Sequence, residues 1–253
     1  MGVIGGPLAA RILTTLSPTG ATPMPDGVPK AYLGKSKLEV LFGSSIWKEI
    51  SDKTVVDFGS GVGAEAVELA EHGARRVIGL DIRQRHIDQA TALALEHRVS
   101  DRCTFMAQWD GREPVDVIVS LDSFEHFDDP AAILTIMRRM LQPSGCVLVC
   151  FGPTWYHPYG GHAFSVFPWA QCVFTEAALV RWRSSLPGKK PIRSFRESGL
   201  NHMTVKRFQQ IVDESPFTFA SFEAVPIRPL RWLANGLSRE FTTSVVRARL
   251  VPR

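Results

Sequence analysis

Long apolar runs are missing from this sequence. No stretch of its 253 residues reaches the roughly 20 consecutive apolar positions of a bilayer-spanning helix. The first residues also lack the basic-then-apolar order of a secretory signal. The expectation is a soluble, cytoplasmic protein with no membrane partner. Cysteine is sparse: Cys103, Cys146, Cys150 and Cys172 form no C-x-x-C pair. That argues against zinc-type or redox-type pairing and for buried thiols. Charge of one sign is in small excess, with Lys+Arg 29 against Asp+Glu 25 and a net charge of +4. The excess is not gathered into one long basic block, so nucleic acid is not the expected partner. Arg181, Arg183, Lys189, Lys190, Arg193 and Arg196 do cluster, interleaved with Trp182 and Phe195. This patch reads either as an attractor for an acidic substrate group or as solvated surface.

Against these absences, Val55-Val56-Asp57-Phe58-Gly59-Ser60-Gly61-Val62-Gly63 stands out. An apolar strand runs directly into three alternate glycines. Without a Cβ, the backbone takes φ > 0 and approaches a ligand closely, and the helix that follows offers free N–H groups at its start. Gly59 to Ala64 also satisfies G-x-G-x-x-A, the dinucleotide fingerprint in which a helix N-terminus holds a pyrophosphate. Asp57, two residues before the first glycine, would repel a pyrophosphate but pair with a cationic amino group. Asp81 ends a second apolar strand, Arg76 to Leu80, suitably placed for two ribose hydroxyls.

Hydrophobic period sets the rest. Ala66, Val67, Leu69 and Ala70 mark a helix over 64–72, and Ile87, Ala90, Leu93 and Ala94 one over 84–97. A third stripe, Ile133, Leu134, Met137, Met140 and Leu141, follows Pro130. Alternation with near-continuous apolar strands implies a parallel sheet covered on both faces. Residues 1 to about 30 read as an extended or mobile arm, and 36–50 as helical material packed before the first strand. Val205, Phe208, Ile211 and Val212 mark a late helix, and strands are expected over 217–227 and 240–251.

The ordered set over residues 53–151 resembles the class I S-adenosylmethionine-dependent methyltransferases. Asp57, Gly59, Gly61 and Gly63 stand where the family's first motif stands, and Asp81 where its ribose-binding acid stands. The resemblance implies an α/β fold: a Rossmann-like seven-stranded, mostly parallel sheet with helices on both faces, closed by an antiparallel hairpin. Residues 1–50 form an arm and helical cap before a methyltransferase domain over 51–253. The implied cofactor is S-adenosylmethionine, bound by Asp57, Gly59, Gly61, Gly63 and Asp81 with Ile82, Trp109, Asp110 and Leu121 beside them. Many relatives place an adenine-binding acid at the position of Trp109. Here the acid is Asp110, either taking that role while Trp109 walls the adenine or shifted in register.

Asp122, Glu125 and His126 are spaced i, i+3, i+4, so on a helical turn all three project from one face. The triplet is similar to the Glu-x-x-Glu-His of the ubiquinone-pathway O-methyltransferases and the small-RNA 2′-O-methyltransferases. That similarity implies a divalent cation held by Asp122, Glu125 and His126. The metal-free reading makes His126 a general base, seconded by His157 and His162 in a glycine-rich loop. Residues 152–200, rich in aromatics, lie where α/β folds place their ligands and read as a substrate cap, or as aromatics packed on one another. The expected activity is methylation of a small organic acceptor at oxygen. RNA 2′-O-methylation and nicotinamide-dependent oxidation are the alternatives. The sequence is silent on oligomeric state.

Overall fold

The computed structural model describes residues 2–20, 34–111 and 113–253. Its strands are β1 (Thr54–Phe58), β2 (Arg76–Leu80), β3 (Cys103–Met106), β4 (Val115–Leu121), β5 (Leu141–Phe151), β6 (Phe217–Pro226) and β7 (Thr243–Pro252). They form one seven-stranded sheet in the order β3-β2-β1-β4-β5-β7-β6. Only β7 runs antiparallel to its neighbours. This is the expected Rossmann-like α/β sheet with its closing hairpin. The strand order reverses between β1 and β4, and a crevice opens at their carboxyl ends, where open α/β sheets bind ligands.

Successive side chains point to opposite faces of the sheet, so each strand feeds two cores. Val56, Ile78, Ile118 and Val149 meet Met137, Phe151 and Phe208 on one face. Val55, Val77, Val117 and Leu148 meet Leu38, Leu69 and Ala94 on the other. Burial on both faces explains why these strands read as continuous apolar runs.

The helices are α1 (Gly6–Leu16), α2 (Lys37–Phe42), α3 (Ser45–Ile50), α4 (Ala64–Glu71), α5 (Gln84–Glu96), α6 (Pro130–Met140), α7 (Ala170–Val173), α8 (Glu176–Ser184), α9 (Val205–Asp213) and α10 (Arg239–Thr242). Side-chain caps fix several starts: Asp129 accepts the Ala132 amide before α6 (3.0 Å), with Pro130 leading the helix. Thr204 does the same for α9, accepting the Arg207 amide (3.1 Å).

Two expectations are corrected. The extended arm is a helix from Gly6 to Leu16, because Ala9 and Leu13 form an apolar face that packs with Ala178, Leu179 and Trp182 of α8. The arm's residues 21–30 lie outside the described ones. The strand expected over 240–251 starts later: Glu240 belongs to α10, its carboxylate accepting the Val205 and Lys206 amides at the start of α9 (3.0 and 2.7 Å).

Candidate cofactor and acceptor site

The turn after β1 is pinned to β2, with the Gly59 and Ser60 amides both donating to the Leu80 carbonyl (2.9 Å each). Gly59 (φ +90°) and Gly63 (φ +86°) are glycines for lack of room. A Cβ would lie 2.3 Å from Ser123 Oγ at the first and 2.6 Å from the Ala90 Cβ at the second. Gly61 (φ +51°) differs: a Cβ there would meet nothing within 4 Å. It borders open space at the mouth of the crevice.

Asp57, at the end of β1, is buried, and its Oδ2 has no hydrogen-bond partner. Burial pushes its carboxyl up to about 8, Glu65 adds to the rise, and Lys37 and the Ala66 amide oppose it. A buried, half-satisfied carboxyl invites a donor, and a cationic amino group would both satisfy and ionise it. Asp81 behaves oppositely. Burial alone would raise its carboxyl, but the Arg83 amide (2.8 Å), the His86 ring (3.2 Å) and the Arg83 guanidinium (3.4 Å) hold it below the usual range. It is therefore a fixed anion, an acceptor for hydroxyl donors. Beside it Ile82 is 90% exposed, an apolar side chain presented at the crevice. Leu121 is buried in the core at the end of β4. Trp109 is half-buried against the main core with its Nε1 unpartnered, and Asp110 is exposed.

Lys37 was not among the sequence candidates. Its Nζ lies 2.8 Å from Asp122 and 3.3 Å from Glu65, at an open cavity of about 720 Å³ also lined by Ala64, Glu68 and Leu93. A local signal for its helix existed: Ser36-x-x-Glu39 is a capping pattern, with Ser36 Oγ accepting the Glu39 amide (3.0 Å). Nothing local shows that α2 brings Lys37 to Glu65 of α4 and to Asp122 after β4.

The triplet is rearranged relative to expectation. Residues after β4 form a turn rather than a helix, and Asp122 adopts φ +47° at the strand end, its amide donating to the Cys150 carbonyl (2.8 Å). Its carboxylate pairs with Lys37. The structure instead gathers Glu125, His126 and His162, whose ligand-type atoms all lie within 4.8 Å of one another. Glu125 is buried: Oε1 accepts the Gly152 amide (3.3 Å) and Oε2 has no partner. Burial, then the nearby Asp122, pushes its carboxyl up to about 8.

Ring partners separate the three histidines. A carbonyl only accepts, so His126 Nδ1, 2.7 Å from the Gly199 carbonyl, carries hydrogen, as does His162 Nδ1, 3.1 Å from the Gly160 carbonyl. Each neutral ring therefore keeps a lone pair on Nε2. His157 is reversed: its Nδ1 accepts the Tyr159 amide (3.0 Å), which puts the hydrogen on Nε2. Burial, with His162 nearby, holds the ring well down, to about 4. Its Nδ1 lone pair is thus committed to the loop backbone, unlike the Nε2 lone pairs of His126 and His162.

Residues 152–200 contain a core of their own. Phe164, Phe174, Trp182 and Phe195 are buried together with Ala9 and Leu13 of α1. Trp155 belongs to this cluster, its ring 5.2 Å from Phe195 and 4.0 Å from His202. Tyr156, its neighbour, faces the other way and stacks at 5.0 Å on Phe241 of α10. In the basic patch, Arg196 pairs with Asp128 (3.1 Å) across the loop after β4.

Comparison with known proteins returns one consistent class. A family profile described as "Methyltransferase domain" matches residues 10–207. A ubiquinone biosynthesis O-methyltransferase of Neisseria meningitidis serogroup A is 31% identical over 104 residues, 39% of this chain and 44% of that protein. The match thus spans less than half the length of that curated relative. An S-adenosylmethionine-dependent methyltransferase of Mesorhizobium loti shares the fold with a TM-score of 0.52 at 17% identity, over 81% of this chain and 93% of the other. A methyltransferase of Thiobacillus denitrificans, solved in complex with S-adenosyl-L-homocysteine, superposes with a TM-score of 0.50 at 16% identity, over 83% and 90% of the two chains.

Proposed function

The chain belongs to the Rossmann-like S-adenosylmethionine-dependent methyltransferases, and from that premise we propose that it methylates an oxygen of a small organic acceptor held under the cap. The observation that carries this reading is the pair formed by Asp57, buried with one free carboxylate oxygen, and Gly61, open to the crevice beside it. The remaining parts fit the same cofactor. Asp57 and Asp81 would hold its amino group and ribose hydroxyls, Ile82 would cover its adenine, and Lys37 offers a cation to its carboxylate. When bound, S-adenosylmethionine supplies a methyl carbon on a sulfonium, which needs alignment more than activation. His126 Nε2, with His162 beside it, accepts the proton of the acceptor hydroxyl. The acceptor class is supported by the O-methyltransferase among the relatives.

A second reading has a specific observation behind it. Glu125, His126 and His162 offer one carboxylate and two imidazoles, a donor set suited to a borderline divalent cation, which would acidify a hydroxyl. The test begins with methyl-labelled S-adenosylmethionine and fractionated extracts. Label entering small molecules supports the proposal, and label entering only RNA overturns it. With the acceptor in hand, His126→Ala is expected to lower kcat about 100-fold or more under either reading. Insensitivity to chelators assigns His126 as a base. Loss of turnover on chelation, restored by a transition ion and absent in Glu125→Gln, assigns the cation.

A further inference from the structure

The connection from β6 to β7 is long for an antiparallel pair, running from Ile227 through a 3-10 helix at Arg228–Leu233 to α10. Short turns suffice to join such strands, so the extra chain calls for a reason. Its apolar side chains are turned outward: Trp232 is 80% exposed and Leu237 95%, with Leu233 and Phe241 also exposed. A tryptophan and two leucines at one protruding tip are too concentrated to be the scattered apolar exposure of an ordinary surface.

The tip is ordered rather than loose. The Ile227 amide donates to the Thr242 carbonyl (2.7 Å), closing the base of the connection. Asn235 Oδ1 accepts the Leu237 and Ser238 amides (2.9 and 3.1 Å), and Ser238 Oγ donates to the Leu233 carbonyl. These bonds hold Trp232 and Leu237 outward instead of letting them fold back onto the sheet.

Charge identifies the partner. Arg228 and Arg231 are exposed on the same 3-10 helix, and no acidic residue occurs between Ile227 and Arg239. The next acid, Glu240, is engaged by the amides at the start of α9. Aromatic and aliphatic tips flanked by unopposed arginines match the boundary between lipid headgroups and acyl chains of an anionic bilayer. Location adds to this. β6 runs parallel to β5, so this tip stands at the same carboxyl edge of the sheet as the candidate site. Phe241, at its base, stacks on Tyr156 of the cap.

We propose that the Arg228–Phe241 connection is a peripheral docking element for an anionic lipid surface. Among the described residues no helix is long and apolar enough to cross a membrane, and the contact inferred is interfacial, which the absence of a long apolar run does not address. The proposal does not depend on the acceptor assigned above.

The test is co-sedimentation of the whole chain with vesicles of phosphatidylglycerol and phosphatidylcholine against vesicles of phosphatidylcholine alone. Binding to the anionic vesicles, weakened by salt, is expected. Trp232→Ser with Leu237→Ser should cut partitioning at least about tenfold, and Arg228→Gln with Arg231→Gln about 25-fold, about fivefold per arginine. Both variants should keep wild-type affinity for S-adenosylhomocysteine, which shows them folded. Quenching of tryptophan fluorescence by doxyl-labelled lipid should fall in Trp232→Phe. No binding to anionic vesicles, equal binding to neutral ones, or equal partitioning of wild type and both variants would overturn the proposal. So would self-association, without vesicle binding, that is lost in the Trp232→Ser, Leu237→Ser variant; that outcome would assign the tip to a second copy of the chain.

Discussion

The glycine turn and the aromatic cap both follow strands at the carboxyl edge of the sheet, and they are built on opposite terms. In the turn, Gly61 borders open space and Asp57 keeps a buried oxygen without a partner. In the cap, the large side chains are used by the cap itself: Phe164 and Trp182 are fully buried, and Trp155 packs on Phe195. The difference teaches that aromatic abundance at a ligand edge marks a scaffold, while the ligand-facing positions are those left open or half-satisfied.

The largest expected effect tests the scaffold side. Trp182→Ala removes a fully buried ring and its Nε1 hydrogen bond to the Ser17 carbonyl (3.1 Å). The expected loss of unfolding free energy is about 3–5 kcal/mol, read by denaturant titration. Cofactor affinity of the folded fraction should be unchanged. A stable variant with weakened cofactor binding would erase the distinction between the regions.

Within the turn, two glycines should separate. Gly63→Val drives side-chain atoms into Ala90 and Phe105 and is expected to cost about 3 kcal/mol of stability. Gly61→Val carries only backbone strain, about 1–2 kcal/mol. It should nevertheless weaken S-adenosylhomocysteine binding about 100-fold, about 2.7 kcal/mol. Equal losses of stability and affinity in the two variants would contradict the roles assigned to them.

Proton linkage gives the next effect. Asp57 and Glu125 are raised to about 8 in the folded chain, whereas unfolded carboxyls titrate near about 4. Between those values the folded state holds protons that the unfolded state has released. The contribution of these two carboxyls to stability is therefore fullest below about pH 4 and falls as pH rises toward about 8, at up to about 1.4 kcal/mol per unit for each group. A cationic ligand group at Asp57 must displace that carboxyl's proton, so cofactor affinity should rise with pH over the same window, at most about tenfold per unit. Asp57→Asn should flatten the affinity slope while Glu125→Gln leaves it. An affinity independent of pH in wild type would remove the ammonium partner from Asp57.

The smallest effect divides neighbours within the cap. Trp155→Ala should lose about 2 kcal/mol of stability through its ring contacts. Tyr156→Ala should lose less than about 1 kcal/mol and act on the KM for acceptor. The reverse pattern would make Tyr156 the core residue.

The geometry of the proposed cofactor half was legible because its requirements are local. Positive φ calls for glycine at 59, 61 and 63, and an acid ending each of two strands reads directly from the chain. The acceptor half depends on contacts distant in sequence. The spacing of Asp122, Glu125 and His126 suggested one helical face, but Asp122 takes a left-handed conformation and turns to Lys37, 85 positions earlier in the numbering. His126 is oriented by the Gly199 carbonyl, and its partner His162 arrives on a loop from beyond β5. His157 looked equivalent to His162 until the Tyr159 amide fixed its lone pair.

The central claim is that the opening between Asp57, Gly61 and Asp81 receives the adenosyl cofactor of a methyltransferase. Calorimetric titration of the whole chain with S-adenosylhomocysteine and, separately, with NADH tests it most directly. The account predicts saturable binding of S-adenosylhomocysteine with Kd in the micromolar range, about −8 kcal/mol, weakened about 100-fold in Gly61→Val and lost in Asp57→Ala, and no heat from NADH. Tight NADH binding with no response to S-adenosylhomocysteine would contradict it.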